Sequence, residues 1–210
     1  MRGGNRCCKI SFTALFNGKD LRGWTQKNGQ AKFYVSRGEI IGETVANTPN
    51  SFLCTEEEFG DFILELDLKV DEAMNSGIQF RSLSLPGYQN GRVHGYQMEV
   101  DPSPRAWSGG IYDEGRRDWL YIPNINPSGK KAFKVGDWNH YRIEAIGNTL
   151  RTWINGIQSN SVRAGVMASN SIRKMIAQSP VAWVASVTGR GSRSPFHQRH
   201  ANSTAGIHSP

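Results

Sequence analysis

Apolar and polar side chains alternate along much of this chain. In the run FILELDLKV (62–70), every second residue from Phe62 to Val70 is apolar, and most residues between them are charged. A period of two is typical of a strand with one buried face and one solvated face. The sequence shows no helical periodicity of any length. The pattern therefore predicts a protein built from sheet.

Short connections separate the predicted strands. Asn-Gly or Gly-Asn pairs occur at residues 17–18, 90–91, 147–148 and 155–156, and such pairs are typical of tight turns. The last two belong to a predicted hairpin with strands at 141–146 and 150–154. We therefore expect an all-β fold, either a sandwich or a barrel, and we favour the sandwich.

Two further alternating runs carry the candidate chemistry, GIQFR (77–81) and GYQMEVD (95–101). Their apolar residues fall on one face, and the other face holds the residues that we select as a candidate site: Gln79, Arg81, Gln97, Glu99 and Asp101. A solvated sheet face is the simpler interpretation. The neighbouring Gly, Tyr and Trp residues are instead typical of a recognition surface.

The segment 75–113 and the residues just after it add aromatic side chains and one histidine to this candidate site. Tyr96, Trp107, Tyr112 and Trp119 are candidates for stacking on a ligand, although we expect two of the four to lie in the core. His94 is a candidate base because the ordinary pKa of histidine lies near neutral pH. No metal-ligand spacing appears, so no metal site is predicted. A calcium site built from oxygen ligands stays an open alternative, although no EF-hand-like loop supports it.

Charge divides the chain unevenly. Residues 1–158 hold 19 of the 25 Lys+Arg residues and all 18 Asp+Glu residues. Residues 159–210 therefore hold 6 basic residues and no acidic residue. The net charge of +7 therefore belongs to the C-terminal part and does not indicate nucleic-acid binding by the domain. We predict an unstructured lead-in at 1–11, one domain at 12–158, and an atypical basic tail at 159–210.

The bulk composition fits one globular domain. With 210 residues, 38% hydrophobic residues, 23 Gly and 9 Pro, the chain is long enough for a sizeable core connected by many turns. No apolar run reaches the length of a membrane span. The start, MRGGNRCCKI, lacks the apolar region of an intact secretory signal. Three cysteines, Cys7, Cys8 and Cys54, indicate no disulfide framework.

Five runs, in order, resemble the 3-keto-disaccharide hydrolase domain family: LFNGKDLRGW, SFLCTEEEFGDFILELDLKV, NSGIQFRS, RVHGYQMEVDPSPRAWSGGIYDE and WNHYRIEAIGNTLRTWINGIQ. The resemblance covers roughly residues 12–158. It implies a jelly-roll β-sandwich of the concanavalin A-like lectin/glucanase type, found mostly in extracytoplasmic bacterial proteins. It also implies a carbohydrate partner, a glycoside whose sugar carries a 3-keto group.

A 3-keto group acidifies the neighbouring C2 proton, so the implied reaction needs a base, an acid and a group that holds the enolate oxygen. Glu99 and Asp101 are the candidate acid/base pair, His94 is a third candidate for the base, and Arg81 is the candidate for the oxygen. No organic cofactor is expected. The alternative is a carbohydrate-binding module on the same fold without chemistry.

The C-terminal quarter departs from the family. Members close the sandwich with strands of the kind GxIxLQ and VxFRNI, and neither follows Gln158 here. We therefore predict that the sandwich is incomplete at this end and that residues 159–210 are disordered chain or a frameshifted translation. Only the PVAWVASV run (180–187) has the composition of a strand. Translating the gene in the other two frames tests the frameshift.

Overall fold

Strands make up nearly all of the regular structure in this protein. The computed structural model describes residues 12–71, 74–122, 127–163, 173–178 and 182–189. The strands are β1 (Thr13–Ala14), β2 (Trp24–Lys27), β3 (Lys32–Ser36), β4 (Glu39–Glu43), β5 (Phe52–Phe59), β6 (Phe62–Lys69), β7 (Ser76–Ser84), β8 (Val93–Val100), β9 (Ile111–Glu114), β10 (Asp118–Tyr121), β11 (Asn139–Ile146), β12 (Thr149–Ile154), β13 (Ile157–Arg163), β14 (Arg173–Gln178) and β15 (Ala182–Gly189). A 3-10 turn (Gln89–Gly91) precedes β8, and a one-turn helix, α1 (Pro127–Lys130), precedes β11.

The strands form two antiparallel sheets. Sheet A has the order β13-β12-β11-β6-β15-β4-β3, with β1 paired to β15, and sheet B has the order β10-β9-β8-β7-β14-β5-β2. The main apolar core, to which both sheets contribute, lies between them. The predicted all-β sandwich is therefore confirmed.

The core follows from the alternation read in the sequence. Along β6, the apolar residues from Phe62 to Leu68 are buried, and the residues between them are partly exposed. On the other sheet, Ile78, Met98 and Ile111 of β7, β8 and β9 pack into the same core. Each fully buried aliphatic or aromatic side chain of this kind contributes roughly 1.5–3 kcal/mol, so this stripe holds the two sheets together.

The predicted hairpin at 141–154 is also confirmed. β11 and β12 pair from Tyr141 opposite Ile154 to Ile146 opposite Thr149, and Gly147 turns the chain with φ 53°. On its other side, β11 pairs with β6. The hairpin thus lies between β13 and β6 in sheet A.

Strands β7 and β8 are buried on both faces along most of their length. All eight residues of β8 are buried, including the polar ones. Gly77 lies opposite Glu99, and Gln79 lies opposite Gln97. A Cβ atom on Gly77 would come within 2.4 Å of the Gln97 Cδ atom, so only glycine leaves room for this packed amide. The polar side chains on the outer face of β7 and β8 are therefore shielded from solvent.

Part of the sandwich comes from the C-terminal segment. β13 crosses residue 158, the predicted end of the domain, and β14 and β15 follow it. β14 lies between β5 and β7, and β15 lies between β6 and β4. Both sheets are thus continuous at these positions. Most of residues 164–210 lie outside the described residues, so their assignment as a tail and the frameshift remain predictions.

No helix in the described residues is long and apolar enough to cross a membrane. Cys54 is a buried thiol that forms no disulfide within the described residues, and Cys7 and Cys8 lie outside them. Within the described ranges, no group of three or more His, Cys, Asp or Glu side chains is arranged to hold a metal ion.

Candidate functional site

Glu99 is the centre of the candidate site. It lies near the end of β8 on the outer face of sheet B and is 3% exposed. Asn75 donates to its Oε1 atom from Nδ2 at 2.5 Å, and Gln97 donates to its Oε2 atom from Nε2 at 2.9 Å. The Arg105 Nη2 atom lies 3.9 Å from Oε1. The carboxyl group is therefore buried but within reach of the exposed residues Asn75 and Arg105.

Burial controls the protonation of Glu99. Desolvation raises its pKa from 4.5 to about 7, against the hydrogen bonds from Asn75 and Gln97, which favour the charged form. The nearby Asp101 carboxylate raises the pKa further, and Arg105 lowers it. Near neutral pH, both forms of Glu99 are populated. A group of this kind can accept or donate a proton, as general acid–base chemistry requires.

A chain of amides supports Glu99 from below. The Ser82 hydroxyl donates to Gln79 Oε1 at 2.8 Å, Gln79 Nε2 donates to Gln97 Oε1 at 2.6 Å, and Gln97 Nε2 donates to Glu99. All four residues are buried. Each link donates towards the carboxylate, so the chain fixes the orientation of every amide in it.

Asp101 organises the loop that follows β8. Its carboxylate accepts hydrogen bonds from the Ser103 amide at 3.1 Å, the Arg105 Nε atom at 2.8 Å and the Trp107 amide at 3.2 Å. Desolvation raises the pKa of Asp101, but these hydrogen bonds outweigh it and the pKa is lowered. Asp101 is therefore a charged anchor that aims Arg105 towards Glu99.

Three aromatic side chains form a wall beside Arg105. The Trp107 and Trp119 rings meet edge to face with centroids 4.7 Å apart, and Tyr112 meets Trp119 in the same way at 5.2 Å. The Arg105 guanidinium lies over Trp107 at 4.3 Å and over Trp119 at 5.3 Å. All three rings are partly exposed. They are therefore available to a ligand at the entrance to Glu99.

Arg81 was expected beside Glu99 and Asp101, but its partners in the structure are different ones. Its guanidinium donates to Asp61 at 2.9 Å, to the Ala145 carbonyl at 3.0 Å and to the Gly147 carbonyl at 2.5 Å. The cause is a bulge in β7, where the register shifts between Phe80 and Leu83 and Arg81 adopts φ 48°. The bulge breaks the alternation and directs Arg81 to the end of sheet A.

His94 and Tyr96 also have partners other than Glu99. His94 is buried, with Nδ1 2.8 Å from the Arg92 carbonyl and its ring 4.0 Å from that of Tyr88. Tyr96 belongs to the core, where it stacks on Phe80. Two of the four candidate aromatic residues were expected in the core, and of these four only Tyr96 lies there.

The sequence did not single out Asn75 and Arg105 as site residues. Asn75 stands directly before β7, and Arg105 lies in a proline-bounded loop. The available signal for Arg105 was its spacing of four residues from Asp101, which forms an ion pair across the loop. For Asn75, the Asn-Ser-Gly sequence predicted a turn before the strand but did not indicate a contact with Glu99. Both contacts depend on how loops fold over the sheet.

The sequence profile of the 3-keto-alpha-glucoside-1,2-lyase-like domain matches residues 11–183. The chain belongs to this family. The resemblance drawn from the five sequence runs is thereby confirmed, and membership gives the chain a carbohydrate-related function. No curated protein matches the chain.

Solved structures similar to this family member share its fold at low identity. A protein provisionally assigned as a glycosyl hydrolase from Parabacteroides distasonis aligns with a TM-score of 0.61 and 20% identity, over 84% of this chain and 93% of that one. A Bacillus subtilis protein of unknown function with a galectin-like fold gives 0.58 and 13%, over 80% and 90%. A carbohydrate binding module from Bacillus subtilis gives 0.52 and 16%, over 78% and 91%. The fold is thus the predicted jelly-roll sandwich of the lectin/glucanase type.

Proposed function

We propose that this protein cleaves glycosides whose sugar is oxidised at C3, with Glu99 as the acid/base group. The observation that carries the proposal is the buried Glu99 carboxyl group, whose pKa is raised to about 7 beside the Arg105 guanidinium. Membership in a family described as 3-keto-alpha-glucoside-1,2-lyase-like supports the choice of substrate. Perturbed carboxyl groups of this kind cluster at functional sites.

The chemistry starts with the proton on C2. The 3-keto group makes this proton acidic, so the charged form of Glu99 removes it and an enolate forms at C3. Arg105 is placed to stabilise the enolate oxygen, as a cation does beside developing negative charge. The C1–O bond then breaks, a C1–C2 double bond forms, and the leaving oxygen takes a proton from protonated Glu99.

Addition of water completes a net hydrolysis. The water oxygen bonds to C1 and a proton returns to C2, so one substrate and one water yield the 3-keto sugar and the free alcohol. A general acid–base group typically contributes about 10²–10⁴-fold to the rate. Glu99 serves both steps because both of its forms are populated near neutral pH.

Roles for the other residues follow from their contacts. Trp107, Tyr112 and Trp119 would stack on a sugar ring, with the apolar ring face against the aromatic one. Asp101 would act as a positioning residue for Arg105. Gln79 and Gln97 would hold Glu99 in place, because Gln79 donates to Gln97 and Gln97 donates to the Glu99 carboxylate.

A carbohydrate-binding module without chemistry is the second candidate. The observation that favours it is that Glu99 is the only carboxyl group of the described site whose pKa is raised, while Asp101 is held by three donors. One of the similar solved structures is a carbohydrate binding module.

The test is incubation with a 3-keto-disaccharide, with release of monosaccharide as the readout. We expect the wild type to release sugar and Glu99→Gln to lose about 10²–10⁴-fold of the rate, while binding persists. Glu58→Gln, at an exposed position of β5, is the matched control and should keep the rate. Binding without release, unaffected by Glu99→Gln, would favour the module.

A further inference from the structure

A second pocket opens on sheet B at the loop end of β7 and β8. It has a volume of about 510 Å³, within the range of small-molecule sites. The residues that matter for its chemistry are Asn28, Asn50, Phe52, Gln89, Arg92 and Glu114. We call it the distal pocket, since none of the residues that contact Glu99 lines it.

The distal pocket is held open by a cross-link between loops. Asn28 Nδ2 donates to the Gly91 carbonyl at 3.1 Å, and the Val93 amide donates to Asn28 Oδ1 at 2.8 Å. Asn28 adopts φ 54°, and a Cβ atom on the next residue, Gly29, would lie 1.9 Å from the Ser51 hydroxyl oxygen. These constraints fix the loops before any ligand arrives, which reduces the entropy lost on binding.

The pocket offers both donors and acceptors to a ligand. Arg92 Nη2 donates to Glu114 Oε1 at 2.6 Å, and Arg92 Nη1 donates to Gln89 Oε1 at 3.2 Å. Asn50 lines the same pocket as Gln89, Arg92 and Glu114 and adds a second amide side chain. Phe52 adds an apolar surface. Amides, a carboxylate and a guanidinium beside an aromatic ring suit the hydroxyl groups and apolar faces of a sugar.

The pocket and Glu99 share one face of sheet B. On β8 and β9, Gln97 lies opposite Tyr112, and Gly95 lies opposite Glu114. Four residues of strand separate Glu99 from Gly95, a distance of about 13 Å. Tyr112, which contacts the wall residue Trp119, lies two residues from Glu114 on β9 and therefore on the same face, so the aromatic wall lies beside the distal pocket.

From this arrangement we infer that the distal pocket binds a further sugar unit of a glycan longer than a disaccharide. The inference rests on the proposed function, because it takes Glu99 as the point at which the glycosidic bond lies. The protein would therefore prefer 3-keto oligosaccharides to 3-keto disaccharides.

The experiment measures affinity by calorimetry in a Glu99→Gln background, which prevents turnover. The ligands are a 3-keto-disaccharide and oligosaccharides that extend it by one or two units. We expect the longer sugars to bind about tenfold more tightly. Asn50→Ala and Gln89→Ala should each remove most of this gain and leave disaccharide affinity unchanged. Gln158→Ala, at an exposed position of β13, should change neither affinity.

Equal affinity for all lengths, or a gain that survives both substitutions, would overturn the distal subsite and leave the proposed function intact. If no sugar of any length binds, the proposed function fails, and this inference fails with it. If the longer sugars bind more tightly but neither the wild type nor Glu58→Gln releases monosaccharide, the distal subsite is supported. The protein would then bind sugars without cleaving them, and the proposed function would fail.

Discussion

The raised pKa of Glu99 makes the stability of the protein depend on pH in a direction unusual for a carboxyl group. In the folded protein, the pKa is about 7, against 4.5 for an exposed glutamate. The folded state therefore binds the proton more tightly than the unfolded state. Stability from this group is fully present below about pH 4.5 and is lost as the pH rises through 7.

The magnitude follows from the two pKa values. Each tenfold difference in proton affinity corresponds to about 1.4 kcal/mol, so the interval between 4.5 and about 7 amounts to about 3 kcal/mol. Solvent screening reduces this little, because Glu99 is 3% exposed. Most of the change falls between pH 5 and pH 8, where the unfolded chain is already deprotonated and the folded one is losing its proton.

The assay is urea unfolding of the wild type and Glu99→Gln at pH 5 and pH 8. Gln keeps the shape of the side chain but does not titrate. The free energy of unfolding should fall between the two pH values by about 2–3 kcal/mol more in the wild type than in the variant. Other groups, such as Glu39 and His140, titrate in both proteins, so the comparison cancels them.

Glu58→Gln controls for the substitution itself and should follow the wild type. If the wild type and Glu99→Gln show the same pH dependence, Glu99 is ionised in the folded protein at pH 5. In that case burial does not raise its pKa, and the acid/base role loses its physical basis.

Two further predictions separate positioning from chemistry. Arg81→Met should lower the free energy of unfolding by about 2–3 kcal/mol, because two carbonyls and Asp61 lose their donor, and the activity per folded molecule should persist. Denaturation curves beside steady-state rates test it, and a lost rate with full stability would return Arg81 to the chemistry. Asp101→Asn should lower kcat by at least about tenfold, because Arg105 loses the ion pair that aims it. Unchanged kinetics in a folded variant would contradict the positioning role.

Much of the sheet structure could be predicted because alternation is a local property. Phe62 to Leu68 face the core as the sequence indicates, and Gln79, Gln97 and Glu99 share the opposite face of β7 and β8. The burial of that polar face was not predictable, since it comes from loops that pack over it. This burial is what raises the pKa of Glu99.

The features of the site that the sequence pattern did not indicate are a single backbone irregularity and two loop contacts. A period of two places Arg81 beside Gln79, but the bulge after Phe80 turns it away. Asn75 reaches Glu99 from a turn, and Arg105 reaches it from a loop held by Asp101. Neither contact leaves a periodic signature in the sequence, because each depends on the conformation of a single loop.

The places of β14 and β15 set the order in which the molecule can assemble during synthesis. Each lies inside a sheet, with neighbours that precede it by about 90 to 140 residues along the chain. While the ribosome still holds these strands, β5 and β7 lack the strand that joins them in the finished sheet, and so do β4 and β6. Closure must therefore wait until they emerge, and such non-local pairing folds slowly. A change of reading frame after Gln158 would place foreign residues at the final closing step, in the centre of both sheets.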